Sequence, residues 1–190
     1  MKAIVLNTAF AACFFLAAGT LGAQQASARH PDMRSNSLYT EIGGNIGDFS
    51  VNYDRLIGKA TLVRIGYGTL SDTYGDCFGI GLVSACEGSV NASLVGLTVG
   101  RLFGRRHMAE IGAGGAFGTV TEERISFIGA STSEKETVTT VTATIGYRWQ
   151  GTGRMLMRAG FTPSYVVSGE TENYPKGLAY SIGASLGFAF

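Results

Sequence analysis

Large apolar residues alternate with small or polar residues along most of the chain. In the last stretch, one face carries Tyr180, Ile182, Leu186, Phe188 and Phe190, and the other carries only Ser, Gly and Ala. This repeat of two residues is typical of β-strands, and no helical repeat competes with it. The alternation predicts eight strands, at about Leu38–Asn45, Asp48–Ile57, Ala60–Thr69, Val90–Phe103, His107–Val120, Thr137–Gln150, Gly153–Tyr165 and Ala179–Phe190.

The connections between these strands alternate in length after the first. The tight ones are residues 58–59, 104–106 and 150–152, and the long ones are residues 70–89, 121–136 and 166–178. The first turn, at Ile46 and Gly47, is short although it belongs to the same end as the long loops. Short turns at one end and longer loops at the other are typical of an outer-membrane barrel.

The two faces of each strand separate a membrane barrel from a soluble one. Large side chains such as Val141 and Ile145 lie opposite Thr140, Thr142 and Thr144, and the other strands repeat this contrast with Gly and single charges. A soluble calycin-like barrel, the alternative, would carry many charges on its water-facing side. A lipid-embedded barrel instead turns its apolar face outward. The sequence therefore predicts an all-β fold, an eight-stranded antiparallel up-and-down transmembrane β-barrel.

The N-terminal segment predicts export. Lys2, a short apolar run and a series of small residues form the pattern of a secretory signal peptide, residues 1–23, and cleavage after Ala23 and after Ala28 both fit. Residues 24–36 are then a periplasmic tail, and residues 37–190 form the outer-membrane barrel domain. The expected location is the bacterial outer membrane.

Charge and cysteine content narrow the classes further. The chain has 15 Lys and Arg, one of which is Lys2, against 14 Asp and Glu, so the mature protein is neutral. The mature protein therefore lacks the excess of basic residues that would indicate nucleic-acid binding. Cys77 and Cys86 remain after export and predict a disulfide across an apolar loop tip. That ring either presents the tip to a partner or only clamps the loop.

Six charged residues fall on the inward face of the predicted barrel. They are Glu41, Asp54, Arg64, Glu110, Arg148 and Arg158, three acids and three bases. Charges confined in this way are expected to pair, and strand order predicts Asp54 beside Arg64, Glu110 beside Arg148, and Arg158 opposite Glu41. Nearer the tight turns, the inward residues are Leu56, Leu62, Leu102, Met108 and Leu156. We expect an ionic network above an apolar plug, with a narrow channel as the alternative.

The remaining charges divide between the two ends. Arg55, Lys59, Arg101, Arg105, Arg106 and Arg154 lie at the tight-turn, periplasmic end. Ten acidic residues lie in the first turn and the long loops, opposed only by Arg124, Lys135 and Lys176. Basic rims engage anionic headgroups, whereas acidic loops either share divalent cations with lipopolysaccharide or simply remain solvated.

Several stretches resemble a known family: "YTEIGGN", "SVNYDR", "AEIGAGGAF", "TATIGYRWQ" and "SIGASLGFAF". They are similar to the small eight-stranded outer-membrane barrels common in Bacteroidetes and, more loosely, to the OmpX/Ail and OmpA-barrel group. The resemblance implies insertion by the outer-membrane assembly machinery through a C-terminal aromatic signal, matched here by Phe188 and Phe190. Its motifs are architectural and carry no catalytic residues.

The sequence offers little for catalysis. The two histidines are His30, in the predicted tail, and His107, beside arginines at the periplasmic rim. A hydrolase needs a histidine that activates a nucleophile and an acidic residue that orients this histidine, and neither histidine has such neighbours in the sequence. We expect no enzyme activity, no cofactor and no metal, with a lipid A-modifying enzyme as the less favoured alternative.

Function is then expected at the extracellular loops. The alternation continues from residue 119 to residue 137, which predicts that two strands project beyond the membrane and expose an edge. Such an edge binds another chain by strand addition. The expected partners are outer-membrane lipids or lipopolysaccharide, and an extracellular protein at residues 70–89 and 121–136. The predicted role is structural or in surface interaction.

Overall fold

A computed structural model describes residues 34–44, 46–74, 78–79, 84–85, 88–125, 131–151, 153–169 and 177–190. Within these ranges the strands are β1 (Asn36–Ile42), β2 (Phe49–Ile57), β3 (Thr61–Tyr74), β4 (Phe78–Gly79), β5 (Ser84–Ala85), β6 (Gly88–Gly104), β7 (His107–Ile125), β8 (Ser131–Gln150), β9 (Met155–Ser168) and β10 (Leu178–Ala189). The described part of the chain contains no helix long and apolar enough to cross a membrane.

Eight of these strands close into a barrel. Each neighbour along the chain is an antiparallel partner, and β1 pairs with both β2 and β10 to complete the ring. The closure extends to the last residue, because Asn36 and Phe190 exchange two backbone hydrogen bonds of 3.1 and 2.8 Å. The two-residue strands β4 and β5 pair only with each other, within the connection from β3 to β6. The predicted fold class is confirmed.

The strand register fixes the width of the barrel. Register partners followed once around the ring from Tyr165 on β9 lead back to β9 ten residues earlier, at Met155. A shear of that size tilts eight strands by about 40°. It leaves an interior that side chains just fill, so the inward residues decide whether the barrel is open.

The wall of the barrel has unequal height. At one end, called here the turn end, the connections are residues 58–60, 105–106 and 151–154. The other end is called the loop end. There β6, β7 and β8, with total lengths of 17, 19 and 20 residues, extend beyond β1 and β2, which have only 7 and 9. Of the stretch from 119 to 137 in which the alternation continues, residues 119–125 belong to β7 and residues 131–137 to β8, and these are paired up to Ile125 and Ser131.

The turn between β1 and β2 folds into the lumen. The prediction that the first strand reaches Asn45 is wrong: β1 ends at Ile42, because Gly43 and Gly44 adopt φ angles of 70° and 97°, which other residues rarely adopt. Ile46 is fully buried as a result. Its side chain occupies space that Cβ atoms at Gly66, Gly68 and Gly96 would fill, each within 2.8 Å of an Ile46 side-chain atom.

The outward face of the barrel is apolar in a continuous band. Its exposed large side chains include Ile65, Tyr67, Val95, Leu97, Val99, Ile111, Phe117, Val141, Ile145, Tyr147, Met157, Phe161, Ile182, Leu186 and Phe188. Towards the loop end the outward face of β3, β6 and β7 becomes polar beyond the register partners Tyr67, Val95 and Phe117, where the next outward residues are Thr69, Ser93 and Thr119. A soluble protein rarely exposes so large a contiguous apolar surface.

Candidate functional site

The six charged residues of the predicted ionic network meet in the lumen. Arg64, Asp54, Glu41, Glu110, Arg148 and Arg158 are each at most 4% exposed. They come from β1, β2, β3, β7, β8 and β9, and each occupies an inward position of its strand. Three guanidinium groups and three carboxylates therefore share one layer, called here the ionic layer, without net charge.

Arg64 is at the centre of the ionic layer. Its Nε and Nη2 donate to the two carboxylate oxygens of Asp54 at 2.8 and 3.1 Å, the two-pronged geometry that suits a guanidinium. Nη2 also lies 2.9 Å from Oε1 of Glu110. Arg64 thus links β2 and β7 from its place on β3, and the predicted proximity of Asp54 and Arg64 is seen.

The other two arginines extend the network across the barrel. Arg148 donates from Nη1 to Oδ2 of Asp54 at 2.6 Å and from Nη2 to Oγ of Ser37 at 2.7 Å. Arg158 donates from Nε to both oxygens of Glu110, at 3.1 and 3.2 Å, and from Nη1 to Glu41. Contacts between non-adjacent strands of this kind brace the barrel through its interior.

One predicted pair is wrong. Glu110 was expected beside Arg148 because β7 and β8 are neighbours, but the register places Arg148 opposite Met108. Arg148 instead crosses the lumen to Asp54 on β2, and Glu110 pairs with Arg64 and Arg158. Long side chains in a lumen filled by side chains reach across it as readily as along its wall.

Sequence reasoning missed the neutral members of the network. The hydroxyl of Tyr39 donates to Oδ1 of Asp54 at 3.0 Å, and the guanidinium of Arg64 lies 5.5 Å from the centre of the Tyr39 ring. Asn52 donates to Oγ of Ser50 at 2.8 Å, and Ser37 receives the bond from Arg148. Their position in the strand is the signal that identifies them: Ser37 and Tyr39 share the inward face of β1 with Glu41, and Ser50 and Asn52 share that of β2 with Asp54.

Aliphatic layers lie on both sides of the ionic layer. Towards the turn end, Leu56, Leu102 and Met108 form a buried cluster, and Leu62 and Leu156 are buried as well. Towards the loop end, Ile46 packs with Leu94 and Ala116. Above these, a cluster here called the valine cluster contains Val90, Ala92, Val120, Val138 and Val166, with Leu70 against it.

The remaining candidate residues lie away from the lumen or outside the described residues. His107 is exposed at the turn end, where its Nδ1 is within hydrogen-bond distance of the Tyr147 hydroxyl. No group of three His, Cys, Asp or Glu in the described ranges is placed to hold a metal ion. His30 and the predicted disulfide of Cys77 with Cys86 lie outside the described residues, as do the signal peptide and most of the tail.

The C-terminal aromatic residues lie on the outer surface at the turn end. Both Phe188 and Phe190 are exposed, and their ring centres are 5.9 Å apart. Their recognition by an assembly machinery stays a prediction.

Comparisons with known proteins support the fold. No family model matches the chain, and no curated protein matches its sequence. Among solved structures, the N-terminal β-barrel domain of Pseudomonas aeruginosa OprF is similar, with a TM-score of 0.53 and 18% identity over 83% of this chain and 98% of that domain. Ail, the attachment invasion locus protein of Yersinia pestis, covers 83% of this chain and 100% of its own at 14% identity, with a TM-score of 0.47.

At these identities the similarity concerns the fold. The chain has the architecture of the small eight-stranded barrels found in bacterial outer membranes, which is the coarser part of the predicted resemblance. Its resemblance to the Bacteroidetes-type members stays a prediction.

Proposed function

We propose that the protein is an integral outer-membrane barrel that does not conduct, performs no catalysis, and acts through the part of its wall that stands outside the membrane. The observation that carries this proposal is the change along the outward face of β3, β6, β7 and β8. Their outward side chains turn from apolar to polar beyond Tyr67, Val95, Phe117 and Val141, while the strands themselves continue for seven to ten residues past these positions.

The height of the apolar band supports membrane placement. On β8 the outward apolar residues run from Val141 to Trp149, nine positions. At about 3.3 Å per residue and a tilt of about 40°, they span about 20–25 Å along the barrel axis. The outward band of a transmembrane barrel is about 25 Å tall.

The filled lumen supports a role other than transport. The ionic layer is enclosed by Leu56, Leu102 and Met108 on one side and by Ile46 and Leu94 on the other. Eight strands with this shear leave no room for a wide pore beside such side chains. Function is then left to the surfaces at the loop end.

The segments beyond the band form what we call the projecting sheet: residues 70–74, 88–93, 119–125 and 131–137. Pairing of β8 with β9 begins at Thr139 and Ser168, so within the described residues 131–138 pair with β7 only. Such an edge accepts an extended segment of an extracellular protein by strand addition. Glu134 and Lys135, both exposed on this edge, oppose uncontrolled aggregation.

A replacement in the projecting sheet tests the role. Residues 121–135 are exchanged for Asn-Gly, which joins the directly opposed residues Val120 and Glu136 by a two-residue hairpin turn. Cells carrying this variant are compared with wild type for adherence and for detergent sensitivity, and heat-modifiable gel mobility verifies that the barrel folds. Lost adherence with normal detergent resistance supports surface interaction. The reverse result indicates an envelope-integrity role, and two unchanged readouts overturn the proposal.

Membrane placement is tested separately by two cysteine variants. Ile145 is 55% exposed on the outward face, whereas its neighbour Thr144 is 1% exposed in the lumen. A bimane probe at Ile145→Cys should be quenched by brominated lipids, and the same probe at Thr144→Cys should not. The opposite result would make this a soluble carrier. Recordings in planar bilayers should show no conductance, and steady unitary currents would favour the narrow channel.

A further inference from the structure

The projecting sheet ends at an edge strand whose backbone can pair with another chain. Residues 131–137 of β8 pair with β7 along their whole length, whereas β9 joins β8 only from Thr139 onward within the described residues. The carbonyl oxygen of Thr137 lies against Gly169, the residue after β9, and so points away from β7. Because the backbone groups of a strand alternate between its two sides, those of Ser133 and Lys135 point to the same side as that of Thr137. No strand that the structure describes covers them there.

The charges of this edge alternate in sign. Glu134, Lys135 and Glu136 are consecutive, so the two glutamates lie on the inward face of β8 and the lysine on the outward face. Glu134 and Lys135 are exposed, and Glu136 is half-buried. Within the described residues, none of the three takes part in an ion pair. A segment that pairs with the edge therefore meets a fixed order of charges: negative, positive, negative.

The backbone geometry makes the two glutamates the more selective positions. In an antiparallel pair, residues that exchange hydrogen bonds alternate with residues that do not, and the side chains of the second kind lie closer to their partners. Lys135 directs its backbone groups to the edge, so it would exchange hydrogen bonds with an added antiparallel strand. Glu134 and Glu136 would then occupy the closer positions. Directly opposed Cβ atoms are about 4.5–5.5 Å apart, where opposite charges attract and like charges repel.

A second copy of the same edge is a poor partner. The antiparallel register that uses the whole of residues 131–137 opposes Glu134 to its own counterpart, and a register centred on Lys135 opposes Glu134 to Glu136. Like charges directly opposite each other are destabilising. The charged residues of the projecting sheet are Asp72, Glu122, Glu123, Glu134 and Glu136, against Arg124 and Lys135, which gives a net charge of −3. Two such sheets repel, and a basic partner is attracted.

We propose that this edge pairs with an extended segment of an extracellular protein that carries basic residues at two alternating positions, with a residue that is not basic between them. The two basic side chains lie opposite Glu134 and Glu136, and an acidic or hydroxyl-bearing side chain lies opposite Lys135. Backbone hydrogen bonds supply affinity independent of sequence, and the order of charges supplies specificity. The inference rests on the surface role proposed above and adds to it the chemistry of the partner.

The test uses disulfide-cyclised hairpin peptides as probes, because a preformed strand loses less conformational entropy when it pairs. The free strand of the first hairpin contains Lys-Thr-Lys, that of the second has the same residues in the order Lys-Lys-Thr, and that of the third contains Glu-Thr-Glu. A fourth is the first with N-methyl groups on the amides of its free edge, which keeps the charges and removes the backbone donors. Binding to the full mature protein in lipid nanodiscs is measured by fluorescence anisotropy. The first hairpin should bind at least about fivefold more tightly than each of the others.

Two double variants that lose the same charge locate the site. Glu134→Gln with Glu136→Gln removes both edge acids, whereas Asp72→Asn with Glu123→Gln removes two other exposed acids of the projecting sheet. At about two- to fivefold for each directly opposed charge pair, the edge variant should bind the Lys-Thr-Lys hairpin roughly four- to twenty-five-fold more weakly than wild type. The control variant should lose less than about twofold, because its charges lie at least one strand farther from the added segment and are screened by salt.

Several outcomes overturn the inference. Absence of binding, or equal binding of the three charge patterns, would leave the edge charges only their protective role. Unchanged affinity of the N-methylated hairpin would show an electrostatic contact without strand pairing, and equal losses in the two double variants would show a diffuse charge effect. Dimers of the protein in native mass spectrometry that the edge variant abolishes would identify a second copy as the occupant.

Failure of the proposed function is distinguishable from these results. It would leave adherence and detergent sensitivity unchanged when residues 121–135 are replaced. If the hairpins fail to bind while that replacement still abolishes adherence, the surface role stands and only the chemistry of the partner is wrong.

Discussion

The two halves of the lumen are filled by opposite chemistry. In the half nearer the turn end, three arginines and three carboxylates pair with one another and form further hydrogen bonds with Tyr39 and Ser37, next to the cluster of Leu56, Leu102 and Met108. Near the loop end, the lumen is filled by Ile46 from the turn between β1 and β2 and by the valine cluster, whose members occupy inward positions of their strands. Both halves close the barrel, but the first contains buried charges that must be paired, whereas the second is filled mainly by the shape of aliphatic side chains. Single substitutions in the two halves should therefore destabilise the barrel for different reasons.

The largest loss is expected at Asp54. Its two carboxylate oxygens accept from Arg64 and Arg148, and Oδ1 also accepts from Tyr39. Asp54→Asn keeps the size of the side chain but leaves two buried guanidinium groups without their shared anion. We expect the free energy of unfolding to fall by about 3–5 kcal/mol. Urea unfolding of the barrel in lipid vesicles, followed by the fluorescence of Trp149, measures it.

Asp72→Asn is the matched control for that substitution. Asp72 is an exposed inward-parity residue of β3 near the loop end, and its carboxylate accepts a hydrogen bond from the adjacent Thr73 amide. The same chemical change should there alter stability by less than about 0.5 kcal/mol. If Asp54→Asn behaved like this control, the ionic layer would have no part in holding the barrel together.

A smaller loss is expected at Ile46, where shape is tested in place of charge. Ile46→Ala removes most of a fully buried side chain and should cost about 2–4 kcal/mol. Gly96→Ala should also destabilise the barrel, by about 1–3 kcal/mol, because its new Cβ would lie 2.6 Å from Cδ1 of Ile46. In the double variant the two changes should compensate, since the alanine at 96 occupies space that Ile46 has left.

The compensation is measured as the coupling energy of a double-mutant cycle. Gly100→Ala provides the comparison. Its Cβ would lie 2.9 Å from the backbone carbonyl oxygen of Ile111, and the atoms nearest to it do not belong to Ile46. Its cost should be the same with and without Ile46→Ala. Strict additivity of Ile46→Ala with Gly96→Ala would show that, in the membrane, Ile46 does not occupy the space beside Gly66, Gly68 and Gly96.

The barrel could be predicted from sequence because its signals are local. A side chain's parity on its strand decides whether it faces the lumen, and this assigned Arg64, Arg148 and Arg158 to the interior. The alternation of residues 119–137 likewise predicted the continuation of β7 and β8. Pairing inside the lumen is not local, because it depends on shear and on the reach of each side chain. For that reason, the expected contact between Glu110 and Arg148 was wrong.

The inward fold of the first turn was also beyond sequence reasoning. Gly43 and Gly44 indicate a turn, but the socket for Ile46 is assembled from β3 and β6, which follow it along the chain. The glycines at 66, 68 and 96 fit the general expectation of small inward residues. Their specific purpose becomes visible only when the register places them beside Ile46.

The smallest loss is expected in the valine cluster. Val138 is fully buried there beside Val120, and Val138→Ala removes about two methylene equivalents, which should cost roughly 1–2 kcal/mol. Val138→Thr keeps the shape but buries a hydroxyl in an aliphatic surrounding, which costs about 1–3 kcal/mol if it finds no acceptor. The same vesicle unfolding assay ranks these variants against Asp54→Asn. Because the valine cluster is held by shape, Val138→Ala must be milder than Asp54→Asn. An equal or larger loss would mean that the loop-end half of the lumen, and with it the base of the projecting sheet, carries more of the barrel's stability than the ionic layer.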